Sequence, residues 1–503
     1  MAGMAPYLND PPAVDEVSSF DLLLKHGHQD LVQAVAFNSY GDRCATGSVD
    51  GKIRVFNRHK DGIWRHCDNW SAHGGEILEL QWLPPTIYPN LLASLGIEGR
   101  FKLWAEDPSA APGRRFSNAT RGSSSQSNSR NTGPGANPNS SFGSMSGDPT
   151  TSNLGSGGNK PQAAFETRNA RSPYRSFSMK HVDDTRHTYL ALVSADGGLT
   201  VYENETPEDL ADYSLLDELS VVPPPGVSPG PGTGRGPARG EETAFRVRFD
   251  PNAEVCYSAL RAGVPGDALA VVVAAMDCVR IYRTRDVVQQ TMGVATAGRE
   301  FYLAAEIGAG VHRGLVRDVA WAPGNIRGFD LIATACQDGF VRVFRVETPL
   351  GGHQESEGRG WSVGEVRRHS RRSGGGGGAP AAAPADEDVG GSRRASTSAG
   401  ASAELMQALP KSGIRAGFDQ LRTSSERRSG GNTAQSQVRH IVTEMARLDS
   451  HRTPVWRVGF DDDGQILGSV GDEGKLMCYR QTPDGSWAKS AELGMMKMRM
   501  AAV

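Results

Sequence analysis

Six times along the chain an acidic residue is followed, five or six positions later, by an aromatic residue that closes a short apolar run. The pairs are Asp50 with Phe56, Glu98 with Trp104, Asp196 with Tyr202, Asp277 with Tyr282, Asp338 with Phe344 and Glu473 with Tyr479. In every pair except that of Asp277 the acidic residue is followed directly by Gly. An acidic-Gly pair between apolar runs makes a tight turn, because Gly accepts positive φ and the carboxylate accepts hydrogen bonds from the turn's amides. The runs that follow alternate in polarity, as in Ile53-Arg54-Val55-Phe56, Phe101-Lys102-Leu103-Trp104 and Val341-Arg342-Val343-Phe344. Period-two alternation belongs to strands, and a recurring strand unit that cannot bury its own faces must stack on copies of itself.

Length obscures the period until three segments are set aside. Residues 108–164, 221–240 and 348–436 are dominated by Gly, Ser, Pro, Asn and Arg. They offer too little apolar surface to offset the entropy of ordering and read as disordered. Phe344 and Tyr479 lie 135 positions apart, and removing the 89 residues of 348–436 leaves 46. Trp104 and Tyr202 lie 98 apart, and removing the 57 residues of 108–164 leaves 41. Both match the roughly 40 to 45 residues of a four-stranded propeller blade. The spacing from Tyr202 to Tyr282 stays long after correction, so the fourth repeat is the least regular.

The expected fold is all-β, a six-bladed propeller with long inserts. The expected organisation is a disordered start over 1–19, blades one and two over 20–107, an insert over 108–164, and blade three over 165–220. A Pro/Gly linker over 221–240, blades four and five over 241–347 and an insert over 348–436 follow. Residues 437–493 complete blade five and form blade six, and 494–503 are a tail. The two longer inserts fall between third and fourth strands of their repeats, which places both on one face of the disc.

His28, His73, His312 and His451 precede the acidic turn residue of their repeats by 22, 25, 26 and 22 positions. Each stands just before a first strand, with no neighbour of ligand type, so the expectation is a buried hydrogen bond from His to the turn carboxylate rather than a metal site. The structural turn residues are thus Asp50, Glu98, Asp196, Asp277, Asp338 and Glu473. Blades three and four lack the His and should be the least firmly locked.

Catalytic signatures do not emerge. No segment reads GxxxxGK[ST], GxSxG, HExxH or CxxC, and Gly230-Pro231-Gly232-Thr233-Gly234 lies in the Pro-rich linker with no strand before it. Asp461-Asp462-Asp463-Gly464 reads as a turn rather than a calcium loop. No catalytic, cofactor-binding or metal-binding residue is assigned, and no cofactor is expected. The six cysteines show no regular spacing and fall mostly in strands, as buried thiols in a reducing compartment would. The net charge of −3 gives no nucleic-acid surface on the folded part, and the Arg pairs of the long insert read as a solvated tether. The N-terminus carries no secretory signal, and the longest apolar stretch, Ala268 to Met276, is far short of a membrane span. Ser172-Pro173 and Arg393-Arg394-Ala395-Ser396 have the form of phosphorylation sites.

The His before the first strand, the acidic-Gly turn and the aromatic that follows resemble the WD-repeat family, in a divergent branch that lacks the Asp of the Trp-Asp pair: Phe56 is followed by Asn57, Trp104 by Ala105, Tyr479 by Arg480. Leu315 to Pro323 resembles a blade of the small coat-type propellers shared by vesicle coats and the nuclear pore. His451 with Val455-Trp456-Arg457-Val458 and Gly468 to Gly474 is similar to the last blade of the Seh-type nucleoporins, and His28 to Val32 through Cys44 to Ser48 to their first. This family is sister to the Sec-thirteen-type coat propellers. The resemblance implies a non-catalytic scaffold in an open propeller, completed by an α-solenoid nucleoporin that inserts a seventh blade within the Y-shaped outer-ring complex of the pore. It implies localisation at the nuclear envelope and support of protein and mRNA transport. It also implies a second pool in a vacuolar coat-like complex that regulates TOR signalling. Neither direct nucleic-acid binding nor membrane insertion is expected. The alternatives are a Sec-thirteen-type coat subunit, or a WD-repeat substrate receptor or peptide reader using its central channel.

The sixth repeat supplies a fourth strand of its own, so closure by an N-terminal strand is not required, although Phe20 to Leu24 has the composition of one. An incompletely closed ring leaves inner strands whose free backbone groups pair with a partner's strand. The expected partner-binding residues are Leu31, Val35, Phe37, Val455, Trp456 and Phe460.

Overall fold

In the computed structural model, the residues described are 24–87, 89–111, 113–116, 162–222, 240–291, 294–308, 310–324, 328–348 and 437–494. They form six antiparallel sheets of four strands each, consecutive in sequence and paired in order from the channel outward. Blade one is β1 (Val32–Phe37), β2 (Arg43–Ser48), β3 (Lys52–Arg58) and β4 (Trp64–Ser71). Blade two is β5 (Ile77–Trp82), β6 (Leu91–Gly96), β7 (Arg100–Ala105) and β8 (Phe165–Arg168), and blade three β9 (Tyr174–Val182), β10 (His187–Ser194), β11 (Gly198–Asn204) and β12 (Ser214–Ser220). Blade four is β13 (Phe245–Phe249), β14 (Ala270–Ala275), β15 (Cys278–Thr291) and β16 (Val294–Ile307). Blade five is β17 (Val316–Trp321), β18 (Asp330–Cys336), β19 (Val341–Glu347) and β20 (Ile441–Leu448). Blade six is β21 (Val455–Phe460), β22 (Ile466–Gly471), β23 (Lys475–Gln481) and β24 (Trp487–Gly494). The all-β, six-bladed propeller expected from the repeat is the observed architecture.

Blade four is irregular in the expected way. Five turns between second and third strands place Gly51, Gly99, Gly197, Gly339 and Gly474 at φ between 69 and 84°. A Cβ on Gly51 would also lie 2.5 Å from the carbonyl of His73. In blade four the turn is one residue shorter, and Met276 itself takes φ 59° between the paired Ala275 and Cys278. The excess length of this repeat lies between β13 and β14, where α1 (Tyr257–Arg261) packs Cys256 and Ala259 against Val264 and Val438. β15 and β16, at 14 residues each, are also the longest strands of the described fold.

The His-carboxylate lock forms in blades one, two and six. His28 joins Asp50 at 3.3 Å and Thr46 at 2.9 Å, and His73 joins Glu98 at 2.7 Å and Ser94 at 2.8 Å. His451 bonds Glu473, and its other nitrogen lies 2.6 Å from Ser469. Blade five departs from the expectation. Asp338 is held in a bidentate pair by the buried Arg342 at 2.6 and 3.1 Å, while His312 reaches only Thr334 at 2.9 Å. Arg342 outcompetes the imidazole because a planar guanidinium matches both carboxylate oxygens. In blade three Ser172 stands in for the His, accepting the amide of Asp196 at 3.2 Å. Ser172 is therefore buried and engaged, which corrects its reading as a phosphorylation site. Ser396 lies outside the described residues.

Three stretches read as disordered carry order at their ends. Phe116 is wholly buried on Trp70, its ring stacked at 5.2 Å, and its amide donates to Asp68 at 2.7 Å. Val221 and Val222 are buried after β12. At the return from the longest insert, Arg283 donates to His440 Nε2 at 2.8 Å, which leaves the imidazole proton on Nδ1, 2.6 Å from the Thr348 hydroxyl. The last described residue before the insert is thereby tied to the first residues after it. The remainder of the three segments, residues 1–23 and the tail beyond Gly494 lie outside the described residues.

Side chains on the inner strands bridge blade to blade. Glu79 accepts the amide of Phe177 and the hydroxyl of Ser176, each at 2.9 Å, and the guanidinium groups of Arg246 at 2.5 Å and Arg248 at 3.2 Å. Ser176 and Ser178 accept the amides of Val247 at 3.2 Å and Phe249 at 3.0 Å. Gln81 pairs with the backbone of Met179, and Asp318 accepts the amide of Val458 at 3.2 Å. Burial pushes the Glu79 carboxyl up, but the charges of Arg248 and Arg246 outweigh it and hold the group down at about 2.

Two outcomes follow. Glu79→Ala leaves two buried guanidinium groups without their shared counter-charge and should lower stability by about 3–5 kcal/mol, read as a fall in the urea midpoint; a loss under about 1 kcal/mol would contradict the bridging role. Burial, reinforced by Arg342, holds His312 down at about 4 from an ordinary 6.5, and burial with Arg283 holds His440 down at about 3. Between those values and 6.5 the unfolded chain binds more protons, so stability is full above about pH 6.5 and falls as the pH drops toward 4. Denaturant titrations at stepped pH should show that slope, and His312→Asn should flatten it.

Candidate functional site

The inner strands pack in sequence, β1 on β5, β5 on β9, β9 on β13, β13 on β17 and β17 on β21. No comparable packing joins β21 back to β1 among the described residues. Burial of the second strand records the difference on blade six, whereas β2 of blade one is buried apart from Arg43. Every residue of β6, β14 and β18 is buried, because a blade covers each face. In β22 burial alternates: Leu467, Ser469 and Gly471 are buried, and Ile466, Gly468 and Val470 are half-exposed. β23 alternates too, with Met477 and Tyr479 buried and Leu476 and Cys478 half-exposed. The buried set packs on blade five. Register extends the uncovered set to Ala491 and Leu493, opposite Cys478 and Leu476, and Leu493 is 58 % exposed. Among the described residues, blade six therefore has one apolar face without a neighbour.

Blade one faces the same seam. Val35 is 55 % and Phe37 57 % exposed, although both sit on an inner strand whose other face, at Ala34, is buried against blade two. The Phe37 ring meets Trp64 edge-on at 5.8 Å, and Phe56 meets His66 at 5.7 Å. Leu31, just before β1, is 75 % exposed.

The structure separates the six residues expected to bind a partner. Leu31, Val35 and Phe37 lie exposed on blade one. Trp456 is 41 % exposed but turns toward blade five, its ring 4.5 Å from the Arg317 guanidinium and its indole N–H donating to Asp472. Val455 is wholly buried and Phe460 packs on Trp487 at 5.9 Å, both in the core shared with blade five. Those two expectations are corrected: strand alternation, with a bulge between Val455 and Arg457, directs this face of β21 to blade five. The seam side of blade six comes from β22 to β24, which sequence reading passed over. Ile466-Leu467-Gly468-Ser469-Val470 reads like the second strand of any blade, and only the ring tells which face is uncovered.

The expected free backbone edge is corrected as well. All six blades are complete four-stranded sheets, so what distinguishes the seam is two side-chain faces rather than an additional unpaired edge. Four of the six cysteines are buried, the other two, Cys67 and Cys478, are half-buried, and none is bonded to another. Asp461 caps a turn by accepting the amides of Gln465 and Ile466 at 2.8 and 2.9 Å. Among the described residues no group of His, Cys, Asp and Glu is arranged to hold a metal ion, and no helix is long and apolar enough to cross a membrane.

The WD domain, G-beta repeat family matches residues 20–57. The chain is similar to nucleoporin SEH1 of Chaetomium thermophilum, with 56 % identity across 100 % of both chains. It is similar to nucleoporin SEH1 of Saccharomyces cerevisiae at 25 % identity, covering 91 % of this chain and 94 % of the relative. Nucleoporin seh1 of Schizosaccharomyces pombe is 24 % identical over 67 % of this chain and 74 % of its own. With its six blades, its open seam and a full-length relative of this similarity, the chain belongs to the SEH1 nucleoporin family.

Proposed function

We propose that the chain is a non-catalytic scaffold subunit of the nuclear pore complex, and that the seam between blades six and one receives a blade donated by an α-solenoid nucleoporin of the Y-shaped outer-ring complex. The observation that carries this reading is the alternating burial of β22 and β23 beside blades whose second strands are buried throughout. The uncovered apolar face of blade six and the exposed Val35 and Phe37 of blade one cost stability that a packed blade recovers, at roughly 25 cal/mol for each Å² of apolar surface covered. Support of protein and mRNA transport would follow from holding the outer ring together. A vacuolar coat-like pool acting on TOR signalling would use the same seam, one partner at a time. Residence is accordingly at the nuclear envelope, with the vacuolar membrane reached only through partners.

The channel does not favour a peptide reader. Its cavity, about 560 Å³, is crossed by the Glu79, Arg248 and Asp318 ion cluster.

Co-expression of the full chain with the solenoid nucleoporin of the same organism tests the reading. Val35→Glu with Phe37→Glu changes two exposed side chains, so the fold should persist, while affinity for the solenoid should fall by about 2 kcal/mol or more, roughly 30-fold. Unaltered affinity would remove the seam as the docking site.

A further inference from the structure

The inner strands present one residue each at a common level of the channel. β1, β5, β9, β17 and β21 each bulge at their second residue, and the residue after the bulge pairs with the second strand: Ala34, Glu79, Ser176, Asp318 and Arg457. Arg246 holds the same level in β13 without a bulge. Arg248, one layer further along, reaches the same carboxylates. Glu79 and Asp318 are contacted by Arg246 and Arg248, while the fifth charge, Arg457, acts on Glu79 only at longer range, so among the described residues this level carries one guanidinium in excess.

Arg457 lines the channel cavity, and among the described residues its side chain makes no hydrogen bond or ion pair. Its neighbour Asp318 gives one oxygen to the amide of Val458 and turns the other toward Arg246 and Arg248 at 4.0 and 3.6 Å. Deeper in the cavity Lys180 donates to the carbonyls of Asp250 and Asn252 and its charge faces the Asp250 carboxylate, so it neither adds to nor relieves the imbalance at this level. On the seam side the next member of the ring is Ala34, which is apolar. A strand inserted between β21 and β1 would place one side chain at this level, between Arg457 and Ala34.

We propose that the partner segment filling the seam carries a carboxylate at this level, and that Arg457 selects it. This rests on the seam being the docking site for a donated blade. A carboxylate placed beside Arg457 would balance the excess charge at this level, and a Lys or Arg at that position would meet a guanidinium of like charge, which rejects the wrong partner as well as favouring the right one.

The test is affinity of the full chain for the co-purified solenoid nucleoporin, measured for wild type, Arg457→Lys, Arg457→Gln and Arg457→Glu, with thermal melts confirming that each variant folds. The expected result is binding retained in Arg457→Lys and reduced on the order of 30-fold in Arg457→Gln and further in Arg457→Glu. A single Asp→Lys or Glu→Lys change in the donated blade should restore binding to Arg457→Glu. Failure of the wild type to bind would remove the docking reading and this proposal together. Wild-type binding with equal affinity for Arg457→Glu would overturn the proposal alone. Stabilisation of the free chain by phosphate over chloride at equal ionic strength, lost in Arg457→Gln while solenoid affinity stays unchanged, would overturn it in favour of a free-anion site.

Discussion

The constraint on which the structure depends is the inner edge of each blade. A four-stranded sheet leaves the amides and carbonyls of its first strand without sheet partners, and groups of that kind are costly when buried unpaired. Here blades two to five each satisfy part of the next blade's edge with a side chain: Glu79 for Phe177, Gln81 for Met179, Ser176 for Val247, Ser178 for Phe249, Arg246 for the Arg317 carbonyl, and Asp318 for Val458. Trp82 does the same toward blade one, donating its indole N–H to the carbonyl of Ala36 at 3.2 Å. The ring is held by these bridges as well as by its apolar cores, and they run from blade one through blade six without a described link between six and one.

That break makes the ring asymmetric. Blades two to five are covered on both sides and can hold fully buried strands such as β14 and β18. Blades one and six each keep one finished face and one face built of Val35 and Phe37, or of Ile466, Val470, Leu476 and Leu493. The same position breaks the charge ring, with two carboxylates set against three guanidinium groups and Arg457 nearest the opening. Apolar faces and an unpaired cation thus coincide at one place in the fold, where a partner of matching shape and charge meets the least resistance.

The repeat was legible because period-two alternation and acidic-Gly turns are local, and local chemistry sets both. The acidic-Gly turns of five repeats accordingly take the expected positive φ at Gly51, Gly99, Gly197, Gly339 and Gly474. What remained hidden depends on contacts distant in sequence. Phe116 stands alone among Ser, Asn and Arg, and only the aromatic pocket of Trp70 and Trp82 shows why it is ordered. Arg342 displaces His312 from Asp338 because the strand brings a guanidinium within reach, which spacing does not reveal. Val455 and Phe460 have the same composition as seam residues, and the bulge in β21 decides which way they point. For the seam itself, sequence indicated an incomplete ring but placed it on β21 rather than on β22 to β24.

The central claim is that a partner completes the ring between blades six and one. Hydrogen–deuterium exchange of the full chain alone and bound to the solenoid nucleoporin measures this directly, strand by strand. The account predicts that protection gained on binding is confined to β1 and to β22 through β24, with blades three and four unchanged. Gains confined to the outer strands of blades three and four, or spread evenly around the channel mouth, would contradict it.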